Sequence, residues 1–100
     1  MAIGTATIDF GAAPGTNHVS VSVTGQSAIL AGAYMEAFFQ GDDSTPGATG
    51  HNAYEHKLAS LVIGSSCSDI IAGSEFKVNF MTDLRLTGTF KFRWVWDNAP

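Results

Sequence analysis

The sequence predicts an all-β chain, a single antiparallel β-sandwich of seven or eight strands over residues 1–100, jelly-roll or immunoglobulin-like in topology. Three observations carry that expectation. Apolar residues recur with period two along much of the chain. Clusters of Gly, Pro, Asn, Asp and Ser interrupt them every ~8 to 12 residues, the rhythm of short antiparallel strands joined by turns. A hundred residues give room for one hydrophobic core and not for two.

Thr5, Thr7 and Asp9 alternate with Ala6, Ile8 and Phe10 in a first strand, which ends at the loop Gly11 to Asn17. Val19, Val21 and Val23 against Ser20, Ser22 and Thr24 form a second, closed by Thr24-Gly25-Gln26-Ser27. Ala28 to Gln40 fits two patterns. Ile29, Leu30, Ala33, Ala37 and Phe38 would share a helical face, while Ala33, Met35, Ala37 and Phe39 keep strand parity. Gly32 costs ~1 kcal/mol inside a helix and no capping box precedes the segment, so a strand is favoured. Gly41 to Asn52 reads as a long polar loop. Tyr54 to Ile63 is expected to be a strand with a bulge near Ala59-Ser60, where the apolar parity changes between Leu58 and Leu61. A turn at Ser65 to Ser68 and a short Ile70-Ile71 strand closed by Gly73 come next. Phe76, Val78 and Phe80 alternate with Lys77, Asn79 and Met81 up to a turn near Asp83. Finally Leu84, Leu86, Phe90, Phe92, Trp94 and Trp96 alternate with Arg85, Thr87, Lys91, Arg93, Val95 and Asp97, with a bulge or bend at Gly88 because an unbroken strand of this length would span roughly 44 Å.

The chain carries 5 Lys and Arg against 9 Asp and Glu, a net charge of −4. That balance argues against a general nucleic-acid binder and against a polybasic membrane anchor. Charged residues make up only 14% of the chain, which leaves little repulsion between copies and favours association with itself. The single cysteine, Cys67, has no internal disulfide partner, so a secreted, disulfide-stapled domain is excluded. Neither a basic leader with an apolar run nor an apolar stretch near the ~18 residues of a membrane span occurs. These features point to a chain folded in a reducing cytosol.

Asp42, Asp43, His51, Glu55 and His56 are the one concentration of metal-ligating residue types. Their spacing matches neither the HExxH helix pattern nor a calcium loop, and on a strand Glu55 and His56 would point to opposite faces, so no metal and no cofactor are expected. Cys67 sits among serines with no base to activate it. Ser20, Ser22 and Ser44 lack a nucleophile-elbow context, and Gly11 to Gly15 is followed by no lysine and no helix, which excludes a phosphate loop. No catalytic residues are assigned. Arg85, Lys91 and Arg93 share one strand parity, opposite the aromatic row, so the aromatics belong to the core and a base-stacking surface is not expected. These three cations, facing an acidic neighbouring subunit, together with Asp42 and Asp43, are the candidate interface.

The runs Thr5-Ala6-Thr7-Ile8-Asp9-Phe10-Gly11-Ala12-Ala13-Pro14-Gly15, Val21-Ser22-Val23-Thr24-Gly25-Gln26 and Leu86-Thr87-Gly88-Thr89-Phe90-Lys91-Phe92-Arg93-Trp94-Val95-Trp96 resemble a group of small proteins encoded among the structural genes of tailed bacteriophages. The resemblance spans most of the chain and is built from strand and turn residues. It implies a non-enzymatic virion component assembled in the host bacterial cytoplasm, foremost a capsid decoration or cement protein. Its partners would be the major capsid protein or other virion subunits and further copies of itself. A tail or head-to-tail accessory subunit is the alternative within that group, and a carbohydrate- or receptor-binding sandwich module the alternative outside it. The resemblance carries no functional residue with it.

Overall fold

The computed structural model describes residues 1–99 and is mostly β, with six strands and one helix: β1 (Ala2–Asp9), β2 (Thr16–Val23), β3 (Tyr34–Phe38), α1 (Ala53–Val62), β4 (Gly64–Ile71), β5 (Glu75–Leu86) and β6 (Thr89–Asp97). The strands form two three-stranded antiparallel sheets, one in the order β1-β6-β3 and the other β2-β5-β4. The two strands with the clearest alternation, β5 and β6, are the central ones. Each presents an unbroken inward row, Phe76, Val78 and Phe80 on β5 and Phe90, Phe92, Trp94 and Trp96 on β6, all buried. A central strand gains a partner on both edges, so its side-chain period is fixed most firmly.

The two rows meet in one core cluster. Phe80 packs edge-on against Phe92 at 5.1 Å between ring centroids, and Phe76 against Trp94 at 5.7 Å. Neighbouring strands make room for these rings. On β1 the inward positions Ala2, Gly4 and Ala6 pair with Trp96, Trp94 and Phe92, small against large. Gly4 is required by this close approach, because a Cβ there would overlap the Trp94 indole. The indole N–H of Trp96 donates to Gln26 Oε1 at 2.8 Å, so the buried ring leaves no donor unpaired.

Only β4 and β5 are joined as a hairpin within one sheet; among the described residues every other connection passes from one sheet to the other. The sharpest is Thr87-Gly88 between β5 and β6. Gly88 takes φ +79°, and a Cβ on it would overlap the Thr49 carbonyl oxygen. Its N–H donates to Gly11 O and its carbonyl accepts from Phe10 N–H, both at 2.9 Å. The expected bend at Gly88 is therefore a change of sheet.

Four expectations are corrected. Six strands form where seven or eight were expected. Tyr54 to Ile63 is not a bulged strand but helix α1, because Asn52 and Glu55 form a reciprocal capping box and Ala, Glu, Lys and Leu dominate the segment Ala53–Val62. The three-residue step from Leu58 to Leu61 that suggested a bulge is helical periodicity. Ser65 to Ser68 lies inside strand β4, paired with β5 and joined to it by Ser68 and Ser66 hydroxyls that accept from Asn79 Nδ2 at 2.9 and 3.5 Å. The irregularity falls later, at Asp69, whose φ of 54° is an αL position that Asp tolerates better than most residues. Asp83 does not end a strand; β5 continues to Leu86 past a register shift against β2. Within Ala28 to Gln40 the strand parity holds for Tyr34–Phe38, with Ala37 and Phe39 buried and Met35 half-buried, while the residues before it form turns.

Candidate functional site

The loop from Gly41 to Asn52 is laid onto the start of β6. Thr45 Oγ1 donates to Thr89 O at 2.7 Å and accepts from His51 N–H, and Thr89 N–H donates to Thr49 O at 2.8 Å. This delivers His51 to the face of Phe90, where the two rings stack 4.0 Å apart at 10°. His51 Nε2–H donates to Thr87 O at 2.6 Å, since a carbonyl can only accept. The other ring nitrogen, Nδ1, lies 3.2 Å from the Glu55 carboxylate one helical turn on. Glu55 Oε1 also accepts from the Asn52 N–H at 3.0 Å, and that bond first, then His51, holds its carboxyl below the ordinary value.

His56 is completely buried between Phe39 and Phe90. Its partners fix its tautomer. The Lys91 N–H of β6 donates to Nε2 at 2.9 Å, so Nδ1 carries the proton and donates to Asn52 O at 3.0 Å. With Ala59 it makes up the buried side of α1. The opposite side of the helix is apolar as well: Tyr54, Leu58, Leu61 and Val62, spaced i, i+4, i+7 and i+8, are all exposed. Between α1 and the β5–β6 crossing lies a groove of about 420 Å³, walled by Leu58, Ala59, Leu61 and Val62, with Leu86 and Phe90 across from them and His51 and Glu55 at one end.

A second cluster occupies the outer side of β6. Asp43 is 5% exposed and accepts from Arg93 Nε at 2.9 Å and Nη2 at 2.8 Å, a bidentate pair, with Lys91 Nζ 3.9 Å away. The Arg93 bond is the main reason the Asp43 carboxyl sits below its ordinary value, against the opposing effect of burial. Of the five candidate interface residues, the structure therefore brings Asp43, Lys91 and Arg93 together and joins them to one another within the chain. Asp42 stays exposed, and Arg85 lies apart on β5, its guanidinium donating to Gly15 O at 3.3 Å. Cys67 is half-buried on the inward side of β4; burial first, and then the Glu36 charge, pushes its thiol up.

Of the metal-ligating residue types, His51 and Glu55 come together, but no group of three or more His, Cys, Asp or Glu able to hold an ion forms among the described residues. No helix among them is long and apolar enough to cross a membrane. Comparison of the chain with family models, with curated proteins and with solved structures returns no match.

The groove and the exposed apolar face of α1 were missed at the level of sequence. Asn52-x-x-Glu55 was the available signal, together with the 54, 58, 61 and 62 spacing.

Proposed function

We propose that this chain is a non-enzymatic assembly subunit of a tailed-phage particle, a decoration or cement protein on the head lattice, with its two sheets packed as a β-sandwich. The observation that carries this reading is the division of labour among its side chains. His51, His56, Asp43 and Arg93, the groups best suited to chemistry, hold the loop, the helix and β6 to one another, whereas the large apolar side chains of α1 stand in the open. An exposed apolar surface beside a rigid frame suits contact with other subunits, and repeated weak contacts on a lattice add up to firm attachment. The partners would be the major capsid protein or other virion subunits and further copies of the chain, assembled in the host bacterial cytoplasm.

Quantifying the chain against the major capsid protein on a stained gel of purified virions tests this. Copy numbers comparable with the capsid protein support a head decoration protein; a small fraction of that points to a tail or head-to-tail subunit. Absence from particles removes both. One observation favours a carbohydrate-binding module as the second reading: Tyr34 and Phe38 stand exposed on the same side of β3, with Glu36 between them. Glycan-array binding that Tyr34→Ala and Phe38→Ala abolish would establish it.

A further inference from the structure

We infer that the groove along α1 is a binding site for a small amphiphilic cation, a hydrocarbon chain with an ammonium head, the head at Glu55 and the chain running along the helix toward Val62. The helix sets the axis of the site. Glu55, Leu58, Ala59 and Val62 stand on successive turns of one helical side, and from the first to the last the helix rises about 10 Å. Ala59 and Phe90, both buried, form the floor, and Leu58, Leu61, Val62 and Leu86 the apolar walls. At about 420 Å³ the space falls within the range of small-molecule sites. The site belongs to the free chain and is independent of the virion role proposed above.

The polar end fixes the charge of the head. Glu55 is the one carboxylate among the lining residues, and no lysine or arginine joins it. Its side chain is 46% exposed; Oε1 accepts from the Asn52 N–H, while Oε2 faces His51 Nδ1. His51 offers an incoming ligand no donor, because Nε2–H is taken by Thr87 O and Nδ1 is buried with no hydrogen-bond partner. With the ring proton on Nε2, the Nδ1 lone pair and Glu55 Oε2 face each other at 3.2 Å with no donor between them, and Oε2 keeps its capacity to accept one. An ammonium brings three donors and the opposite charge, whereas a carboxylate or phosphate head brings like charge. The walls decide the rest of the ligand. From Leu58 to Val62 they are hydrocarbon, so an extended peptide lying there would bury backbone N–H and C=O groups without partners. A helix, ~10 Å across, could reach in only with single side chains. A methylene chain has no polar group to satisfy, and each methylene withdrawn from water strengthens binding.

Titration of the isotope-labelled whole chain, followed by amide NMR shifts, tests this with straight-chain amines from ethylamine to octylamine, and with hexanol and hexanoate as the neutral and anionic counterparts of hexylamine. Ethylamine should not saturate. From butylamine to octylamine the dissociation constant should fall by about two- to fourfold per methylene, reaching on the order of 1 mM. The shifts should centre on the α1 amides and on Leu86 to Phe90. Hexylamine should bind about fivefold or more tighter than hexanoate, with hexanol between them. Glu55→Gln, which keeps a residue type that completes the capping box, should bring hexylamine to the affinity of hexanol. Leu61→Ser, at an exposed position, should weaken all three by about threefold or more. Glu36→Gln, which removes a carboxylate on β3 and none at the groove, should leave binding as it is. Affinity independent of chain length, shifts centred away from α1, or unchanged binding by Leu61→Ser overturns the site. Hexanoate binding as tightly as hexylamine, or a preference for the amine that survives Glu55→Gln or falls equally in Glu36→Gln, overturns the cationic head.

Discussion

His56 is the tie between α1 and the sheets, and cutting it should release the helix while leaving the sheets standing. The helix buries only His56 and Ala59. His56→Ala removes a fully buried ring, for which ~2 kcal/mol of lost packing is a modest figure, and it leaves the Lys91 N–H without its acceptor, about 1 to 3 kcal/mol more. The sum, roughly 3 to 5 kcal/mol, exceeds what a ten-residue helix can supply by itself, because isolated helices of that length are marginal in water. Native-state hydrogen exchange followed by NMR should therefore show the α1 amides losing their protection as a group, while the β5 and β6 amides keep most of theirs. His56→Phe separates the two contributions: it restores the volume and not the acceptor, and should recover about half of the loss. Helix amides as well protected in His56→Ala as in the unaltered chain would refute the argument. So would a His56→Phe variant of full stability, since the Lys91 bond would then contribute nothing.

Asp43→Asn should cost about 1 to 2 kcal/mol at pH 7, the low end for a charge-assisted bond because the half-exposed Arg93 can turn to water. The folded carboxyl lies below its ordinary value of 3.8, so its stabilisation is complete above that pH and is lost as pH falls through the folded value; the gap between wild type and variant in urea unfolding should close on acidification, and a gap constant from pH 7 to pH ~2 would contradict the ion pair. Trp94→Ala should lose roughly 3 to 5 kcal/mol of stability by thermal melting, and an unchanged melting temperature would deny the ring its place in the core. Gly88→Ala should cost about 2 to 4 kcal/mol, from the αL conformation and the overlap with Thr49 O together; a loss within ~0.5 kcal/mol would show that the crossing is pliable.

What was legible in the sequence depends on how far each segment's own pattern is enforced by its neighbours. The alternation from Phe76 to Phe80 and from Phe90 to Trp96 survives intact because both segments are central strands with one face in the core. Trp94 faces inward with Phe90 and Phe92, as that alternation requires. Helix α1 was obscured by its environment. Its apolar residues point outward and its inward side is a histidine and an alanine, so a search for an apolar core stripe finds the wrong side of the helix. Asn52-x-x-Glu55 would have corrected this, since a capping box depends on local backbone geometry and not on burial. The meeting of Asp43 with Arg93 was beyond any local pattern. The two are 50 residues apart, and only the pairing of β3 with β6 places the loop after β3 beside the outer face of β6.

The strand order also sets a timetable for synthesis. β6 is the middle strand of its sheet yet comes after β1 by about 80 residues, so at ~5 to 20 residues per second β1 waits some 4 to 16 seconds on the ribosome before its partner exists. β3 waits for the same strand. Until then both offer unpaired backbone edges to any neighbouring nascent chain, the situation in which strands from different molecules pair by mistake. The second sheet reaches completion earlier, when β5 closes its hairpin onto β4 and joins β2, and its Phe76, Val78 and Phe80 row then stands without its facing layer. At the same rate the 11 residues from the end of β5 to the end of β6 take only about 0.5 to 2 seconds, so that half-built state is brief beside the wait of β1.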